Sequence, residues 1–309
     1  MTELSLRDVF GDLLTKNGEI EQNIVVLDAD LSSSTRTNKF SIKFPNRFFN
    51  MGIAEQNMLG TAIGLAISGK IPIVSGFSIF TTGRAWEFIR IACHDKLNVK
   101  IISTHAGFVG EDGSTHNALE DLSLMTSLSN LNVLVPADSK ELIEIFNYLL
   151  EINGPFYVRL PRGVFPKIHD EHYKFKFGQP DVLKEGKDIG LIGTGFGTIL
   201  ALQSVDSVER ELNCSIKIIN MPTIKPINES KLINEIKNLK GMVIIEEHNV
   251  YCGFGSILAR IISKYMPLDL QFIGINESFG ESGKRETLLD TYGMNIQKVK
   301  ESVSSLLKI

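Results

Sequence analysis

The feature that most limits the fold of this chain is an alternation that runs almost from end to end. Short apolar runs of strand length are separated by stretches with helical spacing. In the first half, 23–29, 47–52, 72–77, 99–105, 132–137 and 156–161 read as strands, with helices at about 54–69, 82–96 and 139–152. In the second half, strands are expected at 188–194, 216–221, 242–248 and 271–276. Helices there fit at about 198–212, 229–239, 256–266, 285–292 and 295–307. Such alternation is the signature of α/β architecture with mainly parallel sheets. Asp138-Ser139 before KELIEIFNYLLEI supplies an oxygen-bearing cap followed by apolar residues at helical spacing, a good helix start. Between the two series, residues 163–185 lose the rhythm and carry Pro, Gly and mixed charge. The expected organisation is two three-layer α/β domains, 1–163 and 186–309, joined by a linker at 164–185.

Length and charge agree with that division. The chain has 309 residues, enough for two domains at a prior of roughly 150 residues each. A hydrophobic content of 43% with a net charge of only −4 excludes a disordered chain. No block of basic residues gives a reason to bind nucleic acid or an anionic membrane surface. The opening MTELSLRDVF lacks a basic region followed by an apolar core, so no secretory signal and a cytoplasmic location are expected. Cys93, Cys214 and Cys252 are too scattered for a disulfide framework or a metal motif. Residues 58–80 have the length of a membrane span. Lys70 and Pro72 divide them, and the halves read as a buried helix and a buried strand.

Several motifs carry chemistry, each beside a plainer explanation. Gly193-Thr194-Gly195-Phe196-Gly197 looks like a dinucleotide-binding turn, but the spacing is G-x-G-x-G and the next strand ends without an acidic residue. A tight strand-to-helix turn is the better reading. Gly110-Glu111-Asp112-Gly113 is too short to complete a hard-oxygen shell for Mg²⁺. His116 follows it and His105 ends the preceding strand, so Asp112 and the two histidines fit a small-molecule site where open α/β sheets bind ligands. Ordinary surface histidines would fit as well. Glu55 opens a helix, where the dipole favours a carboxylate. Its apolar neighbours would also desolvate it and raise its pKa. Phe77, Phe80 and Trp86, with Arg84 among them, follow a strand, where aromatics are usually core. Arg162, after the last strand of the first domain, is either an anion clamp or a surface arginine. Glu246, Glu247 and His248 at a strand end read as interface or surface residues.

Taken in order, D-A-D-L-S-S-S-T (28–35), G-I-A-E-Q-N (52–57), F-S-I-F (77–80), T-H-A-G (104–107), G-E-D-G-S-T-H (110–116) and R-L-P-R-G (159–163) resemble the transketolase family of thiamine-diphosphate enzymes. The resemblance covers nearly the whole chain, as a pyrimidine-binding domain followed by the family's C-terminal domain. A single-chain transketolase has a further N-terminal domain that holds Mg²⁺ and the diphosphate through a GDG…N motif. The resemblance is therefore to the C-terminal subunit of a two-subunit transketolase. It implies a partner chain carrying the Mg²⁺ and diphosphate site, in an α2β2 assembly, with neither chain catalysing alone.

The activity implied is transfer of a two-carbon ketol unit from a ketose phosphate to an aldose. Glu55 matches the glutamate that hydrogen-bonds the aminopyrimidine, Phe80 the ring that stacks on it, with Phe77 and Trp86 as companions; Asp30 falls at a cofactor-pocket position. Asp112 and His116 match residues that contact the donor sugar. His105, Arg162, Arg7 and Ser34 match the acceptor-phosphate site. Deoxyxylulose-phosphate synthases and the β-subunits of 2-oxo acid dehydrogenases share parts of this pattern. The former typically place Arg where His105 stands, and the latter lack the G-E-D-G-S-T-H loop. Gly83 departs from the family, standing where many transketolases have a second cofactor-facing aromatic.

Overall fold

The computed structural model describes residues 3–308. Its strands are β1 (Glu3–Ser5), β2 (Ile24–Asp28), β3 (Phe48–Asn50), β4 (Ile71–Ser75), β5 (Lys100–Ala106), β6 (Asn132–Leu134) and β7 (Phe156–Pro161), then β8 (Val164–Pro166), β9 (Asp181–Lys184), β10 (Ile189–Gly193), β11 (Ile216–Asn220), β12 (Thr223–Lys225), β13 (Gly241–Asn249) and β14 (Asp269–Ile275). A seven-stranded sheet runs β12-β6-β7-β5-β4-β2-β3, parallel except for β12. A five-stranded sheet runs β14-β13-β10-β11-β9, parallel except for β9. Strands β2, β5, β7, β10 and β11 are buried along their whole length, because helices cover both faces of each sheet. The α/β class with mainly parallel sheets is therefore as the sequence pattern implies.

The two halves interlock. Strand β12 leaves the second half and pairs with β6 in the first sheet. One apolar core runs through Val133 and Val135 of the first half to Ile192, Ile219 and Met221 of the second. The segment 164–185, expected as a linker, contains two strands: β8 pairs antiparallel with β1, and β9 edges the second sheet. Both are too short and too mixed in composition to show a period of two.

Other boundaries shift for local reasons. Helix Leu6–Ile20 is additional to the expected elements, and Leu6, Phe10, Leu13 and Leu14 form its buried face. The single helix expected at 82–96 is two, Ser78–Arg84 and Trp86–His94, parted at Ala85. Asp138 caps helix Ser139–Glu151 by accepting from the Glu141 N–H at 2.8 Å, as expected. The glycines of 193–197 make a tight turn into helix Phe196–Leu212. A Cβ on Gly197 would lie 2.0 Å from the Ile245 carbonyl, so close backbone approach explains that glycine. Glu246, Glu247 and His248 are not surface residues: all three are buried between the halves. Glu246 accepts from the Phe254 and Gly255 N–H groups and so caps the following helix. Among the described residues, no helix is long and apolar enough to cross a membrane.

Candidate active site

Parallel pairing of β7, β5, β4, β2 and β3 puts their carboxyl ends along one edge of the first sheet. The loops leaving that edge carry Arg162, the 107–118 loop, Phe77 and Phe80, Asp30 and Ser34, and Glu55. Adjacent strand ends bring together residues that are far apart in sequence, as open α/β sheets do for their ligands.

Glu55 is the first residue of helix Glu55–Ile67, 4% exposed. Its surroundings are not wholly apolar, which corrects the expectation: Arg84 Nη1 donates to both carboxylate oxygens, at 2.9 and 3.1 Å. The same guanidinium lies over the ring of the half-buried Phe80, 4.2 Å from its centroid. The His116 ring meets Phe80 edge-on at 5.2 Å, and Phe77 stacks on His105 at 3.7 Å. Thr115 engages His116 Nδ1 at 3.0 Å; Nε2 has no hydrogen-bond partner among the described residues.

His105 joins the aromatic group to a cluster of arginines. Arg7 Nη1 lies 3.3 Å from its Nε2 and also donates to the Ser34 carbonyl at 2.9 Å. Since Arg7 can only donate, His105 Nε2 accepts, and Nδ1 carries the hydrogen that Thr104 Oγ1 receives at 2.8 Å. Burial first, and then Arg7, Arg162, His116 and Arg36, push the His105 pKa down to about 3, so it is a neutral imidazole at pH 7. Burial, with Arg36 and Arg162 nearby, likewise lowers that of Arg7. Arg36 pairs with Asp8 at 2.7 Å and Arg162 with Asp112. That leaves Arg7 as the one of the three arginines with no ion-pair partner among the described residues, and an incoming anion would be drawn to it. Arg162 is partnered by Asp112 and by the Val109 carbonyl at 2.8 Å. Of the eight non-glycine residues described with positive φ, three are Asp30, Arg36 and His105, a concentration of backbone strain at this edge.

Two expected residues stand apart. Trp86 donates its indole N–H to the Leu124 carbonyl at 3.1 Å and packs against the core, so it is a wall residue rather than a companion of Phe80. Asp30 is exposed and braced by Asn50 through reciprocal hydrogen bonds of 3.0 and 3.1 Å. Three site residues had no role in the sequence reading. Arg84 stands in the sequence as a neighbour of aromatics, and Arg36 directly follows the 28–35 motif. The buried Asp28 shapes the 28–37 turn by accepting from Leu31 N–H and from the Thr35 and Thr37 hydroxyls. A buried aspartate ending an apolar strand was the available signal. The metal-type cluster of Glu141, His169 and Asp181 belongs to a separate ion-pair network between the halves.

Comparison with known proteins matches residues 2–167 to the transketolase pyrimidine-binding domain and residues 178–299 to the transketolase C-terminal domain. A putative transketolase C-terminal section from Methanocaldococcus jannaschii is 41% identical over 308 residues, 98% of this chain and 96% of that one. A 6-deoxy-6-sulfo-D-fructose transketolase subunit from Clostridium sp. (strain MSTE9) is 31% identical over 95% of this chain and 92% of its own. A solved structure described as a split-gene transketolase, inactive β4 tetramer, superposes with a TM-score of 0.90 at 40% identity, covering 99% of each chain. The chain belongs to the transketolase family and corresponds to the C-terminal subunit of a two-subunit transketolase.

Proposed function

We propose that this transketolase-family chain transfers a two-carbon ketol unit from a ketose phosphate to an aldose acceptor, using thiamine diphosphate and a partner chain that holds Mg²⁺ and the diphosphate. The observation that carries the reading is the Arg84 guanidinium, a flat nitrogen donor that stacks on Phe80 while hydrogen-bonding Glu55. A flat aminopyrimidine would call for the same aromatic face and the same carboxyl. The residues present therefore fit the pyrimidine half of the cofactor.

Thiamine diphosphate, when bound, supplies a nucleophilic carbon and an electron sink for breaking the bond beside a ketose carbonyl. The protein supplies orientation, proton control and charge. Phe80 would stack on the pyrimidine, with Phe77 holding His105 behind it. With Arg84 turned aside, the buried Glu55 carboxyl would face a pyrimidine nitrogen and hold a proton toward it. His116 Nε2 would donate to the donor sugar where negative charge develops, and Asp112 would accept from its hydroxyls after exchanging Arg162 for substrate. Arg162, Arg7, His105 and the Ser34 region would receive the phosphate, with Arg36 adding positive charge. Asp30 would border the cofactor pocket from the neighbouring turn.

The subunit names of the relatives and the inactive β4 tetramer support dependence on a second chain; α2β2 is the assembly proposed. The test mixes this chain with its N-terminal partner, thiamine diphosphate and Mg²⁺, and follows ketol transfer between sugar phosphates. Activity only in the mixture supports the reading. Full activity from this chain alone would refute the division of labour, and oxidative decarboxylation of pyruvate in place of transfer would refute the reaction.

A further inference from the structure

We propose that Glu247, on β13 of the second half, is a positioning residue for the substrate loop, and that this is what the C-terminal domain contributes to the reaction. The inference rests on the assignment of Asp112 and His116 to the sugar. Their loop is closed at its base by reciprocal Gly107 and Ala118 hydrogen bonds of 3.0 and 3.1 Å. Above that base, Arg162 of the first half holds the Val109 carbonyl and Asp112, and the second half supplies further anchors. The Phe108 N–H donates to Glu247 Oε1 at 2.9 Å, and Arg285 binds the other carboxylate oxygen. A Cβ on Gly107, where φ is +74°, would lie 2.4 Å from Oε1, so only a glycine admits the carboxylate. The Phe108 ring is buried in the C-terminal core, 5.1 Å from Tyr292.

The remaining anchors flank the two sugar-facing residues. Ser282 Oγ donates to the Glu111 carbonyl at 2.7 Å, immediately before Asp112. Asn117 Nδ2 donates to the Phe279 carbonyl at 3.0 Å, immediately after His116. Arg159 spans both halves, donating to the Ala118 and Glu247 carbonyls at 3.0 and 2.9 Å. By contrast, among the described residues no hydrogen bond or ion pair joins Glu55, Phe77, Phe80 or Arg84 to the second half. The pyrimidine site and the sugar site thus rest on different supports. Disturbing Glu247 should loosen the loop that bears Asp112 and His116 and reach Phe80 only through the edge-on His116 ring, while Glu55 keeps its own support.

The two-chain enzyme tests this with Glu247→Ala, Glu247→Gln and the surface change Ser282→Ala. The readouts are donor KM, cofactor dissociation constant, and hydrogen–deuterium exchange across 107–118 and 55–67. Loss of a charged hydrogen-bond acceptor predicts that Glu247→Ala raises donor KM about tenfold or more while cofactor affinity holds within about twofold. Exchange should quicken across 107–118 and not across 55–67. Glu247→Gln keeps an acceptor for the Phe108 N–H but loses the charge facing Arg285, so it should fall between wild type and alanine. Ser282→Ala, with one neutral hydrogen bond gone, should raise KM about threefold. Unchanged KM and exchange, or KM and cofactor affinity worsening in parallel, would overturn the proposal. Should Glu247→Ala fail to assemble, Glu247→Gln and Ser282→Ala decide it by the same criteria. If the wild-type mixture transfers no ketol unit, the functional reading fails on its own, and exchange at 107–118 still judges the positioning role.

Discussion

His169 provides a test of how the two halves are docked. Its ring is 6% exposed, with Nε2 2.9 Å from Asp181 and Nδ1 3.1 Å from Asp138, so one imidazolium joins the cap of helix Ser139–Glu151 to strand β9. Burial alone would lower its pKa, but the Asp138 and Asp181 carboxylates beside its two ring nitrogens, with Glu141 nearby, outweigh burial and push it up to about 10. A folded pKa raised above the ordinary 6.5 means stability that is fully present below pH 6.5 and lost as pH rises through about 10. A shift of that size corresponds to an upper bound of about 5 kcal/mol, and removing one partner of a buried ion pair costs roughly 3–5 kcal/mol. The perturbation is His169→Gln, compared with wild type by urea unfolding at pH 6, 8 and 10. The expected difference is about 4 kcal/mol at pH 6, about half that at pH 8, and under about 1 kcal/mol at pH 10. Distant groups titrate alike in both proteins and cancel in the difference. Glu141, pushed up to about 7 by burial and held down by His169, titrates together with the imidazole, so the fall between pH 8 and pH 10 is the decisive comparison. A gap that stays constant, or widens with pH, would refute the paired imidazolium as the clasp.

Other expectations follow from the site. Glu55→Gln in the two-chain enzyme should lower kcat by about 100-fold or more, since proton transfer by a positioned group contributes on that scale; steady-state assays check it. Arg84→Met should tighten cofactor binding by a few-fold, because the Arg84–Glu55 pair that the ring must displace is half exposed on the arginine side and stabilises by about 1 kcal/mol or less; equilibrium titration measures it. Arg162→Ala should raise KM for a phosphorylated acceptor about tenfold or more and leave an unphosphorylated one nearly unchanged. Gly197→Ala should destabilise the fold by about 2 kcal/mol or more in urea unfolding, because its new methyl meets a backbone carbonyl at 2.0 Å rather than a side chain that can move.

The match between pattern and fold is uneven in an instructive way. Buried strands such as β2, β5 and β10 are legible because both faces are apolar, and helix Ser139–Glu151 because its cap and stripe are local. Helix Leu6–Ile20 is equally legible, through the apolar stripe of Leu6, Phe10, Leu13 and Leu14. Strands β8, β9 and β12 are not, since each is three or four residues long and exists through pairing with distant backbone. Trp86 shows the reverse failure. An aromatic next to a ring-stacking motif attracts a cofactor role, yet the break at Ala85 directs its indole to Leu124.

The sequence by itself determined the α/β class, the division into two series of elements, and the loops that bear Glu55, Phe80, His105, Asp112, His116 and Arg162. Those properties depend on periodicity and on short motifs, which a chain carries locally. Only the tertiary structure decided which of those groups meet. The strand order β7-β5-β4-β2-β3 gathers their loops at one edge, and Arg84 reaches Glu55 across 29 residues. The structure also turned Glu246, Glu247 and His248 from expected interface or surface groups into the buried seam between the halves, with Glu247 meeting Phe108 from 139 residues away. Hydrophobic patterning specifies which face of an element is buried, whereas a polar tip finds its partner through the packing of whole elements, and no local period encodes that distance.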